Sequence, residues 1–299
     1  MKIIISGSTG FIGNNLSNYL ADKGHNIIRL VRKTSKNISR NFETHLWDPD
    51  NHYLPDKPFI GSDAVIHLGG RKIISLRWTK KIKKEIRYSR VNSTEILTKF
   101  ISKMQKPPSK LIVASAGGFY GNTLDQEVDE SNKVGTGFLA DTAQEWENST
   151  FKFKLNKTSV IHTRFGLVLD KKEGAFPLIS IPFKYGLGSY IGSGENWISW
   201  ISLLDTIKIY EYILNNEIDG PINVVNEKPL RTKDFCEILS QQYNKKILFR
   251  IPPYLVKILA GEMGNEMILS SSKIYPKKLK EAGYKFEFNE LPDLLKSFA

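Results

Sequence analysis

The sequence has almost no cysteine, since Cys236 is the only one among 299 residues. A single cysteine cannot close a disulfide within the chain, and it has no cysteine neighbours with which to hold zinc. No histidine and carboxylate pair shows the spacing of metal ligands either. We therefore expect no structural disulfide and no metal site, in a protein that suits a reducing compartment.

Long apolar runs are also missing. No stretch approaches the roughly 18 residues that a membrane-spanning helix needs. Residues 1–5 give way at once to Ser6 and Gly7, which leaves too short an apolar core for a signal peptide. With 40% hydrophobic, 11% aromatic and 25% charged residues, the composition is that of an ordinary globular protein. We expect a cytoplasmic protein with no membrane span.

Arginine is scarce for so basic a chain. The net charge is +12, but only 10 of the 43 cationic side chains are arginine, and most cations are scattered singly. Proteins that read phosphates and bases favour clustered arginine, so nucleic acid is not expected as a partner. The densest run, residues 80–87, places Ile82 and Ile86 four apart, which is typical of an amphipathic helix with a solvated cationic face.

Strand and helix patterns alternate along the first two thirds of the chain. Strands are predicted at 2–6, 25–31, 64–68, 111–115 and 159–169, and helices at 14–23, 91–102, 140–147 and 205–215. This alternation predicts an α/β fold with a parallel, doubly wound, Rossmann-like sheet. From Gly174 onward, prolines and glycines mark a change of character. We predict an NADP-binding domain over 1–170, to which residues about 200–225 return, and a smaller, mainly helical substrate domain over 171–299.

The clearest chemical signal is a glycine loop between the first strand and the first helix. Its sequence is Gly7, Ser8, Thr9, Gly10, Phe11, Ile12 and Gly13. Gly7 permits the tight turn, Gly10 lets backbone N–H groups approach a pyrophosphate at the helix N-terminus, and Gly13 lets the helix pack closely on the strand. The spacing predicts a dinucleotide site formed by residues 7–13.

The residues after the second strand indicate which dinucleotide binds. An acidic residue there accepts from a ribose 2′-hydroxyl, whereas a cation meets a 2′-phosphate. This chain has Arg32 and Lys33 at that place. They predict NADP(H), with Arg32 as the main phosphate partner, and the alternative is that Arg32 is an ordinary surface cation.

Taken together, several motifs resemble the extended short-chain dehydrogenase/reductase superfamily of NAD(P)-dependent epimerases and dehydratases. They are the glycine loop and the segments 63–70, 90–94 and 115–121. Further segments resemble its atypical SulA-like branch, the cell-division-inhibitor type, and that branch's C-terminal module. These are 77–79, 89–91, 119–121, 145–147, 192–194, 200–201 and 220–223, then 261–263, Ser272 and 276–283.

The resemblance implies further cofactor contacts. Leu68 and Gly69 would line the cofactor, and Arg90 would form a pair facing it with Glu85, one helical turn earlier. An ordinary surface ion pair is the alternative for Glu85. The dipeptide 47–48, a tryptophan and an aspartate, would lie near the adenine, unless it forms an exposed loop.

The catalytic residues depart from the family pattern. Such enzymes use a Tyr-x-x-x-Lys pair, in which the tyrosine exchanges a proton with the substrate, together with a nearby serine. Here Phe138 and Thr142 replace the pair, and the serine position aligns with Ala116, one residue after Ser115. Ser115 and Tyr120 are the remaining catalytic candidates, although Tyr120 could simply cap the turn after its strand.

Two carboxylates and one loop are further candidates for the same chemistry. Asp141 and Glu145 flank the position of the missing pair and could act as acids if buried, and solvated carboxylates are the alternative. The glycine-rich loop 186–197 corresponds to the part of the family's substrate domain that faces the nicotinamide. Trp197 and Trp200 would be its apolar walls or, alternatively, core residues between the domains.

Two functions stay open from the sequence. The first is an oxidoreductase or epimerase-like enzyme that acts on an unknown small carbonyl or sugar-like substrate with NADP(H). The second is a non-catalytic NADP(H)-dependent regulatory or binding protein linked to cell or organelle division. Loss of the Tyr and Lys pair favours the second, whereas the retained cofactor loop favours the first.

Overall fold

The computed structural model describes residues 1–32, 42–74 and 77–298. The helices are α1 (Phe11–Asp22), α2 (Lys80–Ser102), α3 (Phe138–Asn148), α4 (Phe176–Lys184), α5 (Leu203–Asn215), α6 (Thr232–Gln242), α7 (Pro253–Met263), α8 (Lys277–Glu281) and α9 (Leu291–Ser297). The strands are β1 (Lys2–Ser6), β2 (Asn26–Val31), β3 (Glu43–Leu46), β4 (Ala64–His67), β5 (Lys110–Ala116), β6 (Glu127–Val128), β7 (Ser159–Phe165), β8 (Leu167–Leu169), β9 (Ser189–Ile191), β10 (Trp197–Ile198), β11 (Trp200–Ser202), β12 (Gly220–Val224), β13 (Leu230–Arg231), β14 (Phe249–Ile251) and β15 (Lys273–Ile274).

Seven strands form the central sheet in the order β12-β7-β5-β4-β1-β2-β3, and all of its neighbouring strands are parallel. The chain moves outward from β1 in one direction through β2 and β3, and then in the other direction from β4. In such sheets, ligands bind at the carboxyl ends of the strands where the order reverses, which here lies between β1 and β4. The predicted parallel, doubly wound fold is confirmed.

Both faces of the sheet are covered by helices, because alternate residues of the buried strands point to opposite sides. Ile3 and Ile5 of β1 belong to the core under α1 and α5, whereas Ile4 belongs to the core under α2 and α3. β1 therefore contains three consecutive isoleucines, Ile3 to Ile5, as expected of a strand buried on both faces.

Two segments differ from the predicted elements. The cationic run and the helix predicted at 91–102 form one helix, α2, whose N-terminus is capped by the Thr79 side chain. The strand predicted at 159–169 is divided into β7 and β8 at Gly166. A Cβ there would lie 2.2 Å from the carbonyl oxygen of Ser199, so the crossing of two backbones interrupts the strand. Among the described helices, α2 included, none is both long and apolar enough to cross a membrane.

The C-terminal part of the chain, from about residue 171 onward, contributes most of a separate hydrophobic core. Phe183 of α4, Phe235 of α6 and Leu294 of α9 are buried in it together with Trp200. α7 begins directly after β14. A kink at Gly261, where φ is 57°, interrupts the helix. A short π-helical turn, Gly264–Ile268, then carries the chain against α3.

Candidate cofactor and substrate site

The glycine loop forms a close contact between two parallel strands. Gly7 has φ 70°, and a Cβ on it would lie 2.6 Å from the carbonyl carbon of Leu68 at the end of β4. A Cβ on Gly13 would lie 2.3 Å from the carbonyl oxygen of Gly7. Larger residues would therefore push α1 and β4 away from the turn, which is the physical reason for glycine at these places.

The start of α1 is built to receive a negatively charged group. Gly10 is its N-cap and makes no side-chain capping hydrogen bond. The hydroxyl of Ser8 is buried and has no hydrogen-bond partner among the residues that the structure describes. Helix N-terminal N–H groups and a buried donor without a partner suit a phosphate. These residues thus fit the pyrophosphate of a dinucleotide.

A cavity of about 670 Å³ opens over this loop. It is lined by Gly7, Thr9, Gly10, Leu30, Val31, Arg32, Trp47, Asp48, Pro49, Asp50, Leu68, Gly69, Gly70, Tyr88, Ser89, Asn92 and Ser93. Six of the residues predicted to bind the cofactor are among them: Gly7, Thr9, Gly10, Arg32, Leu68 and Gly69.

The far end of the cavity has an aromatic wall beside charged groups. Trp47 is buried and meets the ring of His67 edge-on, with ring centroids 5.7 Å apart. Asp48 accepts a 2.7 Å hydrogen bond from the Asn51 amide, which together with backbone donors and Arg32 holds the pKa of its carboxyl below the usual value. Arg32 is exposed, and Lys33 lies outside the described residues.

The other predicted cofactor residues lie beside the cavity without lining it. Ser8, Ile12 and Gly13 belong to the turn and the start of α1, and the ring of Phe11 meets Gly174. Glu85 forms a half-exposed ion pair with Arg71.

Arg90 holds the loop that follows β4. Its guanidinium is buried and donates to the carbonyl oxygens of Arg71 and Ile86, both at 3.0 Å. The backbone N–H of Arg71 donates in turn to the hydroxyl of Ser89. The predicted pair between Arg90 and Glu85 is therefore wrong, because Glu85 pairs with Arg71 and Arg90 donates to backbone carbonyls. Both residues instead contact the loop 69–71, which forms one wall of the cavity.

A buried polar chain lies beneath the cavity and is centred on His67, for which the sequence predicts a hydrogen-bonded strand histidine rather than a catalytic base. His67 lies 2.5 Å from the Ser6 hydroxyl through Nδ1 and 2.9 Å from the Ser93 hydroxyl through Nε2. Burial, with a smaller effect of Arg90, lowers the pKa of His67 to about 3. A neutral histidine thus links β1, β4 and α2 under the cofactor cavity, as a hydrogen-bonded strand residue.

Ser115 and Tyr120 lie in a second buried network. The Ser115 hydroxyl donates to Glu147 at 2.6 Å, and Arg164 donates to both carboxylate oxygens of Glu147 at 2.8 and 2.7 Å. Arg164 also donates to the Tyr120 hydroxyl, which donates to Asn223 at 2.7 Å. Burial raises the pKa of Tyr120 to about 12. Each hydroxyl therefore already donates within the fold.

The start of α3, where the family places its Tyr and Lys pair, packs against apolar side chains on one side. The ring of Phe138 is buried and meets Trp78 edge-on, with centroids 5.2 Å apart. The hydroxyl of Thr142 donates to the carbonyl oxygen of Phe138 at 2.7 Å. Ala260 and Met263 of α7 complete this cluster. A phenyl ring has no proton to exchange, so Phe138 cannot take the role of the missing phenol.

The chain beyond α7 supplies the cap of α3. The carboxylate of Glu266 accepts from the backbone N–H groups of Phe138 and Leu139 at 2.8 and 2.9 Å. Glu262 forms an ion pair with Lys83 of α2 at 2.7 Å. The C-terminal part thus reaches across to α2 and α3 and holds both.

A second cavity, of about 570 Å³, lies at this junction. It is lined by Lys83, Lys84, Arg87, Gly137, Phe138, Asp141, Glu262 and Glu266. Asp141 thus faces a cavity, whereas Glu145 forms an ion pair with Arg87 at 3.3 Å.

The two tryptophans of the predicted substrate loop have different surroundings. Trp200 is fully buried in the core of the C-terminal part and donates to the carbonyl oxygen of Lys228. Trp197 is half-buried, donates to Asp125, and lies under the guanidinium of Arg231 at 4.1 Å. Trp200 is a core residue, and Trp197 is fixed by its own neighbours.

Comparison with known proteins agrees with this geometry. A model of the NAD dependent epimerase/dehydratase family matches residues 3–140, and a model of a domain of unknown function, DUF1731, matches residues 251–298. Epimerase family protein ML0860 of Mycobacterium leprae is 32% identical over 294 residues, covering 98% of this chain and 94% of the relative. YfhF of Bacillus subtilis, also described as an epimerase family protein, is 31% identical and covers 97% and 95%. The chain belongs to this epimerase family.

A solved structure of another epimerase family protein has the same fold throughout. Human SDR39U1 (isoform 2), crystallised with NADPH, superimposes with a TM-score of 0.90 at 28% identity, covering 100% of this chain and 99% of the human one. The resemblance to the epimerase and dehydratase superfamily is therefore confirmed. The narrower SulA-like assignment stays a prediction.

Some residues of this epimerase-family site were missed in the sequence. Ser89, Asn92 and Ser93 line the first cavity from α2, and their spacing of three and four residues is the signal that could have identified a polar face. The cap by Glu266 has no such signal, because 128 residues separate it from Phe138.

Proposed function

We propose that this epimerase-family protein binds NADP(H) in the first cavity, with the pyrophosphate over residues 7–13 and the adenosine toward Trp47 and Asp48. The observation that carries the proposal is the glycine cradle at the uncapped start of α1, with the hydroxyl of Ser8 buried beside it. The human relative crystallised with NADPH supports the same choice of cofactor.

Preference for the phosphorylated dinucleotide is assigned to Arg32, which follows β2 and lines the cavity. Arg32 lies just after the end of β2, and its side chain is exposed, so its guanidinium suits a 2′-phosphate. Lys33, next in the chain, is the second predicted partner. Leu68 and Gly69 form the opposite wall, and Arg90 and Glu85 act on that wall through the loop 69–71.

Comparing NADPH and NADH affinities tests this assignment. We expect Arg32→Ala to weaken NADPH binding about tenfold, since hydrogen bonds to charged groups contribute about 1.5–3 kcal/mol, and to leave NADH binding unchanged. Lys106→Ala, which removes an exposed cation at the amino edge of the sheet, is the matched control. Equal affinities for both dinucleotides in the unaltered protein would contradict the assignment.

We further propose an oxidoreductase or epimerase-like activity on a small carbonyl or sugar-like substrate. Bound NADP(H) would supply or accept the hydride. The second cavity supports this activity, because it offers a small molecule charged groups of both signs beside the ring of Phe138. The proton donor differs from the usual family pair, and Ser115 and Tyr120 stay the predicted candidates.

A screen of carbonyl compounds and sugars for substrate-dependent NADPH oxidation tests the activity. With an active compound, Tyr120→Phe removes the hydroxyl and keeps the ring, and a loss of about 10² or more in turnover would assign the proton to Tyr120. Ser115→Ala gives the same test for Ser115. If neither variant lowers turnover, neither residue is the donor.

One observation favours the second candidate function, a non-catalytic NADP(H)-dependent regulatory or binding protein. Phe138 takes the place of the usual phenol and is covered by Trp78 and by α7. The predicted SulA-like character would direct such a protein toward cell or organelle division. NADPH binding without oxidation by any compound of the screen, together with a partner retained only in the presence of NADPH, would favour this function over the enzyme.

A further inference from the structure

Exposed apolar side chains are concentrated in two short segments of the C-terminal part. Residues 178–187 and 248–259 hold ten of the large apolar side chains exposed in the described chain. They are Leu178, Ile181, Tyr185, Leu187, Leu248, Phe249, Tyr254, Leu255, Ile258 and Leu259, with exposed fractions from 38% to 72%. Single exposed apolar residues are ordinary on any protein, whereas a concentration of them marks a binding surface.

The two segments meet at the small parallel sheet of β9 and β14. The N–H of Leu248 donates to the carbonyl oxygen of Gly188 at 3.0 Å, and the N–H of Gly192 donates to that of Ile251 at 2.9 Å. α4 precedes β9, and α7 begins directly after β14. The ten exposed apolar side chains of 178–187 and 248–259 are called the apolar rim.

The charged side chains within the stretches that hold the apolar rim have one sign. Residues 174–194 and 238–261 contain no aspartate or glutamate. The cations of these stretches are all exposed, namely Lys184, Lys245, Lys246, Arg250 and Lys257. Elsewhere, several exposed cations pair with carboxylates, for example Lys208 with Glu287 and Lys228 with Glu290. The apolar rim therefore lies among side chains of positive charge that come from the same two stretches.

We propose that the apolar rim docks on the surface of an anionic lipid bilayer. Apolar side chains that insert at the level of the headgroups, flanked by lysine and arginine, are the chemistry of interfacial membrane binding. Each lysine or arginine near an anionic membrane adds to the attraction. A second copy of the chain fits less well, because self-association through this surface would bring like charges together.

Co-sedimentation of the full chain with lipid vesicles tests the proposal. We expect binding to vesicles of equal parts phosphatidylglycerol and phosphatidylcholine, at least tenfold weaker binding to pure phosphatidylcholine, and loss of binding at high salt. The paired change Ile258→Glu and Leu259→Glu should weaken binding at least tenfold. Lys245→Glu with Lys246→Glu should do the same through charge alone.

The matched control places the same charges elsewhere. Ile60 and Leu124 are exposed by 73% and 66% and lie outside the apolar rim. Ile60→Glu with Leu124→Glu should leave vesicle binding unchanged, and NADPH affinity should stay the same in every variant. This control separates the effect of removing apolar side chains from the rim from the effect of adding negative charge. An unchanged NADPH affinity shows that each variant is folded.

Three results would overturn the proposal. The first is no sedimentation with anionic vesicles, and the second is equal binding to both kinds of vesicle. The third is a dimer in sedimentation velocity that Ile258→Glu with Leu259→Glu dissociates, without vesicle binding by the unaltered protein. That result would assign the apolar rim to a second copy of the chain.

Discussion

The two cavities share one helix and differ in what forms them. Successive turns of α2 give Lys83, Lys84 and Arg87 to one cavity, and Ser89, Asn92 and Ser93 to the other. The first cavity is formed largely by glycines and backbone atoms of the loops that follow β1 and β4. The second is bounded by Phe138 and by carboxylates from the C-terminal part. The dinucleotide site is thus a local property of the N-terminal half, whereas the second cavity depends on distant chain segments.

The first region comprises the first cavity with its supporting strands, and the second comprises α3 with the second cavity and the buried contacts of that helix. In the second region, the buried network of Ser115, Glu147 and Arg164 should be the most sensitive part. Glu147→Ala leaves Arg164 buried without its carboxylate, and we expect the free energy of unfolding to fall by about 3–5 kcal/mol. Glu145→Ala on the same helix removes only a half-exposed ion pair and should cost less than about 1 kcal/mol. Urea denaturation measures both. Similar losses in the two variants would remove the distinction between them.

Each region contains a buried histidine, and both should make stability depend on pH. His67 belongs to the first region, and His162, whose Nε2 lies 3.0 Å from the hydroxyl of Thr150 just after α3, belongs to the second. Burial lowers the pKa of His67 to about 3, and that of His162 to about 4. The unfolded chain returns both to about 6.5 and so binds more protons below that pH. Their contribution is complete above pH 6.5 and is lost as the pH falls. We expect the free energy of unfolding to drop by about 2–4 kcal/mol from pH 7 to pH 5.

Variants separate the two histidines. His67→Gln and His162→Gln should each remove about half of the histidine contribution to this pH dependence, measured by urea denaturation at both pH values. A pH dependence that neither variant reduces would show that carboxylates alone cause it.

The glycine cradle gives the next largest effect, on binding. Gly7→Ala places a Cβ against the end of β4, and we expect NADPH affinity to fall about a hundredfold, or about 2.8 kcal/mol. Gly24→Ala is the matched control, because Gly24 also has positive φ, 84°, but a Cβ there meets nothing within 4 Å. Its strain of about 1–2 kcal/mol should lower stability without changing affinity. Equal loss of affinity in both variants would contradict the cradle.

The smallest effect is expected where the family pair is restored. Phe138→Tyr with Thr142→Lys recreates the phenol and the ammonium, but Trp78 covers the ring position and Thr142 is buried. We expect NADPH-dependent reduction of a generic carbonyl to stay unchanged or to fall. Phe138→Tyr alone is the control for the buried lysine. A tenfold gain in turnover would show that the cleft accepts substrates in the ordinary family geometry.

The first region could be predicted from the sequence because its determinants are local. Residues 7–13 specify a turn and a helix start in consecutive positions, and Arg32 follows from its place after the second strand. The second region could not be predicted in this way. The roles of Glu147, Arg164 and Glu266 depend on partners 17 to 128 residues away in the chain, and single charged residues carry no sign of such partners.

The cap of α3 by Glu266 has a consequence for synthesis on the ribosome. The cofactor cradle and most of the central sheet emerge before residues 251–298 are translated, so a nascent chain can form the dinucleotide site early. The start of α3 has to wait for Glu266, and until then its first N–H groups lack that carboxylate. Until residues 262 and 266 are translated, the second cavity lacks two of its lining carboxylates and is open on that side.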